Sequence, residues 1–396
     1  MKLLTRLALC FLAAGPAMGF AQGRPASADT TTTICEAPAN FSVQVVASDV
    51  RVPWAMTFAP DGRLFFTERP GRVRVLQDGK LKETPLFTVP DVLVNVKLGL
   101  MGMVLHPRFP DNHLLYLSYA YRSSEGERVR VARYHETGTA LDQGTTIIEN
   151  IPAYTNHAGC RIRFGPDAKL YVTTGDANKP ELAQQLDSLA GKILRLNEDG
   201  TIPSDNPFAG QEGKRPEIWS YGHRNPQGLD WQPGTNTLFE SEHGPDGGDE
   251  INVIEPGKNY GWPILHHRMP TREGMQSPLL EYTPSIAPAS GMFYRGTAFP
   301  DLRGHFLVGC LRGEGILDLT MDGSKVVAQQ WLLHKKHGRM REVVEAPDGS
   351  IYVSTSMYDP PESARGGPGY DQILRLVPAS TNASTEATKS APHYAK

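Results

Sequence analysis

The side chains able to do chemistry gather between Trp219 and Trp262, with a few more at strand-like ends elsewhere. Arg224-Asn225-Pro226 is a donor pair stopped by a proline, which keeps the backbone there from continuing as a central strand. Its guanidinium could stabilise a developing oxyanion, or it could join two elements through an ion pair. Upstream, Asn156-His157-Ala158-Gly159-Cys160-Arg161 sets a histidine among small residues, with room around its ring for a substrate. Asp176 closes the run Thr174-Gly175-Asp176. If the intervening turn folds back, its carboxylate orients the imidazole for proton abstraction; otherwise the histidine caps a turn.

Three arginines follow near the end of the chain. Arg339 and Arg341 alternate around Met340, so on a strand they point the same way, and with Arg312 they suggest a small polyanionic ligand. A solvated basic face is the other reading of 334–341. Glu250 and Tyr260 bracket Asn252 and Asn259 in an oxygen-rich stretch suited to a hard cation or to Asx turns, at a spacing unlike an EF-hand. Gly244-Pro245, after Glu242-His243, offers two backbone carbonyls as a second cation position.

These residues need a scaffold that brings distant segments together. A Pro-Asp or Pro-Gly turn followed by an aromatic-rich β run recurs as APDGRLFFTE (59–68), HPRFPDNHLLYLSYA (106–120), GPDAKLYVTTGD (165–176), QPGTNTLFESE (232–242), FPDLRGHFLVG (299–309) and APDGSIYVST (346–355). Six copies at intervals of roughly 47 to 67 residues predict an all-β, six-bladed β-propeller, one blade per copy. Runs such as 72–76 and 192–196 fill in blades of four strands. Two smaller β-sandwiches would not repeat one turn-and-strand pattern six times. Thirty-nine glycines and 32 prolines suit such a turn-rich chain. In a propeller the chemistry belongs at the ends of the repeated strands, around the central channel.

Residues 1–21 read as a secretory signal: Lys2 and Arg6, an apolar run 7–14, then Gly19-Phe20-Ala21. A linker (22–34), the propeller (35–377) and a small-residue tail read as disordered (378–396) complete the division. Export predicts a periplasmic or secreted protein with no stable membrane insertion. It leaves Cys35, Cys160 and Cys310, an odd number fitting no zinc pattern, with a Cys160–Cys310 disulfide left open. A net charge of −3 argues against nucleic acid as a partner. Monomer and homodimer both stay open.

Taken in order, VPWAMTFAPDGRLFFTERPGRVRV, HAGCRIRFGPDAKLYVTTGD, LAGKILRLNEDGTIPSDNPF, YGHRNPQGLDW, EHGPDGGDEINVIEPGKNYGWP and GRMREVVEAPDGSIYV resemble the pyrroloquinoline-quinone-dependent soluble sugar dehydrogenases, the glucose/sorbosone dehydrogenase family, over about 52–376. The resemblance implies a six-bladed propeller and oxidation of an aldose at its anomeric hydroxyl to the lactone, with an external electron acceptor. It implies that His157 takes the hydroxyl proton with Asp176 as its partner, and that hydride passes to the quinone. Arg224 and Asn225 would bind the cofactor, and Arg224 would stabilise charge on the reducing quinone oxygen. Lys97, Arg312, Arg339 and Arg341 would meet the cofactor's three carboxylates. The Gly244 and Pro245 carbonyls would hold a catalytic Ca2+, and Glu250 with Tyr260 a structural one. Four positions depart from the family pattern. Lys97 stands where Gln or Glu is usual, Arg312 where Lys is common, Ser356 near a usual acid, and Cys160 in place of a smaller residue. Sugar specificity is expected around Gln184-Gln185 and 283–290. A calcium-dependent lactonase or related hydrolase on the same fold, and a non-catalytic sugar- or protein-binding propeller, are the competing readings.

Overall fold

The computed structural model describes residues 34–37, 40–357 and 371–379. The signal, most of the linker and all but the first two residues of the tail therefore lie outside the described residues. Six antiparallel sheets succeed one another along the chain: blade 1 (53–81), blade 2 (100–152), blade 3 (162–221), blade 4 (226–282), blade 5 (292–332) and blade 6 (340–378). Each has four strands in sequence order, except that the outermost strand of blade 6 is Phe41–Val50, from the start of the described chain. Pairing of that strand with Asp371–Pro378 ties the two ends of the ring together, which removes an exposed edge. Two blades carry a short extra strand: Phe87–Thr88 on blade 1, and Cys35–Glu36, parallel to Lys325–Leu332, on blade 5. Among the described residues helices are limited to Phe109–Asn112 and the 3-10 turns Pro180–Gln184 and Pro300–Leu302, and no helix is long and apolar enough to cross a membrane.

The six repeated segments are the second strands of the six blades: Leu64–Glu68, Leu114–Ser123, Leu170–Thr174, Leu238–Glu242, Phe306–Cys310 and Ile351–Thr355. They are almost wholly buried because blades pack face to face, so both faces of the second strand are covered. The turn before them has one recurrent chemistry. In copies 1, 3 and 6 an aspartate accepts the backbone N–H two residues on, as Asp61 to Arg63, Asp167 to Lys169 and Asp348 to Ser350. The residue after the aspartate takes a left-handed conformation: Gly62 at φ 88°, Ala168 at φ 57° and Gly349 at φ 79°.

First strands of adjacent blades line the channel, and Arg161 pins them. It is 1% exposed and ion-paired to Glu342 of blade 6 at 2.6 Å. It also donates to Gln227 O of blade 4 (2.8 Å) and Ala289 O at the entry to blade 5 (3.0 Å), with its guanidinium over Trp54 of blade 1 (4.5 Å). Burial pulls this guanidinium down to about 10. It remains a cation at neutral pH, and the contacts close the channel beneath the cavity described next.

Pro226 keeps the chain out of a central strand, as expected, and begins Pro226–Trp231, the channel-lining edge strand of blade 4. The Cys160–Cys310 pairing left open by the sequence does not form; both are buried free thiols, pushed up by burial and so unreactive.

Candidate functional site

Because the first two strands of a blade run antiparallel, the entry to the first and the exit from the second lie at the same end of the propeller. The six entries, together with the exits of blades 1, 4 and 5, surround one cavity of about 450 Å³. Every blade contributes: Trp54 and Arg69 from blade 1, Lys97 and Met101 from blade 2, and His157 to Gly159 from blade 3. Blade 4 gives Arg224, Asn225, Gln227, His243 and Gly244; blade 5 gives Ser285, Ala287, Leu311 and Arg312; blade 6 gives Arg339 and Arg341.

The turn before blade 3 does fold back on the exit from its second strand. His157 Nδ1 lies 2.8 Å from Asp176 Oδ1. An ionised carboxylate only accepts, so Nδ1 carries the proton and Nε2 keeps its lone pair for a substrate. Asp176 is itself immobilised: Oδ1 also accepts the Asn178 N–H (2.9 Å) and Oδ2 the Trp262 indole N–H (2.8 Å). Close packing here demands Gly175, where a Cβ would overlap the His157 carbonyl. The backbone is strained around the pair, with positive φ at His157 (55°), Cys160 (80°), Ala177 (53°) and Asn178 (56°). Such strain persists only where surrounding structure enforces it.

Beside this pair begins the cationic wall. Arg224 donates to the His243 carbonyl (3.1 Å) rather than to a carboxylate, and its ring-facing side lies over Trp262 at 5.3 Å. Burial lowers its affinity for its proton, a shift opposed by Asp176 and Glu242. Asn225 Oδ1 accepts from Gly159 N (3.2 Å) and Gln227 Nε2 (3.0 Å), bridging blades 3 and 4. Arg339 and Arg341 both reach Ser356, through its carbonyl and its hydroxyl, each at 3.1 Å. In all, six lining side chains are basic (Arg69, Lys97, Arg224, Arg312, Arg339, Arg341) and two are acidic (Asp246, Asp249). Arg224 Nε and His243 Nε2 are buried with no hydrogen-bond partner among the described residues. His243 is held neutral by burial and by the cations around it. Net positive charge with orphaned polar atoms fits a compact ligand bearing several carboxylates.

Behind Arg224 the charge reverses. Glu242 Oε2 accepts the Arg224 and Asn225 N–H groups (2.7 and 3.3 Å), shaping the donor turn. Asn252 Nδ2 points at Glu240, Glu242 and Glu250 together (3.1, 3.3 and 3.1 Å). Glu240 and Glu250 are pushed well up, first by burial and then by Glu242. His223, Glu240 and Glu242 offer ligand atoms within 4.8 Å of one another, and the His223 ring stacks on Tyr260 at 4.8 Å. The Tyr260 hydroxyl is engaged by Val253 O and Glu255 N, and its N–H by Tyr221 O (2.8 Å). Gly244 lines the cavity and its N–H is fixed by Asp249 (2.9 Å); Pro245 is not among the lining residues.

Several lining residues carried no signal in the sequence, because an isolated Trp54, Arg69, Met101 or Gln227 looks like core or surface until the ring closes. Asp249 was visible only as part of an acidic loop. Its carboxylate accepts Ser285 Oγ, Ile286 N and Ala287 N, each at 2.7 Å, and so holds the blade 5 entry against the cavity. Of the two segments expected to set specificity, 283–290 supplies Ser285 and Ala287, but Gln184 and Gln185 do not line the cavity. Gln184 instead clamps Asn259 (3.0 Å) and the Trp262 carbonyl (2.6 Å).

A family model described as Glucose / Sorbosone dehydrogenase matches residues 50–361. The chain is 35% identical over 343 residues to the aldose sugar dehydrogenase YliI of Escherichia coli, covering 82% of this chain and 92% of that one. It is 32% identical over 254 residues to quinoprotein glucose dehydrogenase B of Acinetobacter calcoaceticus, covering 57% and 52%. The PQQ-bound structure of aldose sugar dehydrogenase from Streptomyces coelicolor superposes with a TM-score of 0.74 at 32% identity, over 86% of this chain and 99% of that one.

Proposed function

The chain belongs to the glucose/sorbosone dehydrogenase family, and on that premise we propose that it oxidises aldose sugars at the anomeric hydroxyl to the lactone, using pyrroloquinoline quinone and calcium. One observation carries the reading: a histidine fixed by a carboxylate as an Nδ1–H tautomer faces a cavity lined by six cations.

The quinone, when bound, supplies the acceptor for the sugar C1 hydride. His157 Nε2 takes the hydroxyl proton, and Asp176 stabilises the imidazolium that results. Arg224 places a guanidinium from which water is largely excluded, where it can oppose negative charge developing across the cavity. Lys97, Asn225, Arg312, Arg339 and Arg341 would bind the cofactor's carboxylates and carbonyls; only Arg341 among the four cations is deeply buried, and it would anchor most firmly. Gly244, on the cavity wall, would offer its carbonyl to a calcium that polarises the quinone, with the Pro245 carbonyl, outside the lining, as the second ligand. Glu250 and Tyr260 would hold a second, structural ion beside Glu240 and Glu242, whose crowded carboxylates a cation would neutralise. Export to the periplasm or beyond, with electrons passed to an external acceptor, completes the proposal. A lactonase would need carboxylates converging on one central calcium. Six lining cations work against that.

Reconstitution tests the reading. Apoprotein is loaded with the quinone and Ca2+, and reduction of an artificial dye is followed with a panel of aldoses. Quinone-dependent turnover is expected, and its absence with every sugar sinks the proposal. His157→Ala should keep cofactor binding and lose ~10²–10⁴-fold in turnover.

A further inference from the structure

We propose that Trp262 is a positioning residue that keeps the proton-accepting pair and the Arg224 guanidinium apart; the inference rests on the dehydrogenase reading above. No cavity-lining role identifies it. Its importance lies in having two functional neighbours on one rigid ring.

The indole edge donates its N–H to Asp176 Oδ2 at 2.8 Å, the oxygen not used by His157. The indole face carries the Arg224 guanidinium at 5.3 Å. Asp176 and Arg224 are neighbours in any case: the Asp176 N–H donates to the Arg224 carbonyl at 2.9 Å, and Asp176 is the carboxylate that acts most strongly on that guanidinium. Left alone, a half-buried arginine beside a buried carboxylate would pair with it. That pairing would rotate the carboxylate about a torsion that is intrinsically broad and pull it off His157 Nδ1. It would also spend the positive charge meant for the cavity. Trp262 blocks both outcomes by saturating Oδ2 with a neutral donor and stacking the cation on its ring.

The ring is held in turn. Trp262 N donates to Gly222 O (2.9 Å) and its carbonyl accepts from Gln184 Nε2 (2.6 Å). Lys192 Nζ braces the Gln184 turn through the carbonyls of Leu182 (2.8 Å), Ala183 (3.0 Å) and Ala190 (2.6 Å). Gln184 therefore acts on the base through Trp262.

Two measurements test this. In the apoprotein, five tryptophans give five indole N–H signals, and that of Trp262 is identified by its loss in Trp262→Phe. A carboxylate-bonded indole N–H should lie downfield of the others and move upfield in Asp176→Asn. In the reconstituted enzyme, Trp262→Phe keeps an apolar ring but no N–H. It should lower kcat about 10–100-fold with the sugar KM and quinone affinity within threefold, since a displaced catalytic group costs turnover rather than binding. An indole signal unmoved by Asp176→Asn, or a kcat for Trp262→Phe within twofold of an active wild type, overturns the inference. An inactive wild type refutes the dehydrogenase reading instead, and the apoprotein signal still decides the contact.

Discussion

Replacing Asp176 by asparagine tests the base assignment most sharply. Asp176 accepts three donors on two oxygens: His157 Nδ1 and Asn178 N on Oδ1, and Trp262 Nε1 on Oδ2. Asparagine has one oxygen and one NH2, so either orientation sets two donors against each other, at about 1–3 kcal/mol of stability for the group left unsatisfied. Turnover responds differently. Losing the carboxylate charge removes about 1.5–3 kcal/mol from the charged hydrogen bond that forms as His157 gains its proton. At about 1.36 kcal/mol per decade this is a floor of roughly 10–150-fold in kcat. If the NH2 turns toward His157, the ring shifts its proton to Nε2 and cannot act as base, and the loss grows toward ~10⁴-fold. Stopped-flow dye reduction by the reconstituted variant, alongside quinone titration, measures both. A kcat within threefold of wild type at unchanged quinone affinity would refute the role of the pair.

Burial ranks the anion-binding cations. Arg341 is 3% exposed, so Arg341→Met should weaken quinone binding about 10–100-fold by calorimetric titration. Exposed Lys97, changed to Gln, should cost less than about fivefold, and equal losses would contradict the ranking. Burial also pulls the Lys192 ammonium down to about 7 in the fold, below its value in the unfolded chain. Above that pH the unfolded state holds the extra proton, so stability should rise with pH from about 7 toward 10 by up to about 1.4 kcal/mol per unit. Lys192→Met should lose that slope in urea titrations. Calcium at one hundred times its Kd should raise stability by about 2.7 kcal/mol, a chelator should remove the gain, and Glu250→Gln should show little of either.

The ring was legible because its turns are chemical and local. Asp61, Asp167 and Asp348 each cap their own turn, and a buried second strand needs an apolar run wherever it occurs. The His157–Asp176 contact was legible only as a condition, since nothing local states that the two turns interlock; Gly175 permits it, and glycine in a turn has many other causes. Arg161 was not legible at all. It sits in the same motif as His157, but its partners Trp54, Gln227, Ala289 and Glu342 come from four other blades. Pro226 gave a true but partial signal: a proline forbids a central strand, and only the closed ring reveals that a first strand is an edge.

Blade geometry also explains how one cavity can hold a base and six cations without the second disabling the first. Five blades contribute the lysine and arginines of the lining: Arg69, Lys97, Arg224, Arg312, and the pair Arg339 and Arg341. Blade 3 contributes none, and blade 3 carries His157. Its own arginine, Arg161, is turned beneath the cavity and neutralised by Glu342 at 2.6 Å. At the exit from its second strand, where blades 1 and 5 present Arg69 and Arg312, blade 3 presents Asp176. A cation there would oppose the gain of a proton by the neighbouring ring, whereas a carboxylate favours it. The lining is therefore polarised across the channel, with anion binding on five sides and proton acceptance on one. Arg224 stands at the boundary between them, where Trp262 separates it from Asp176.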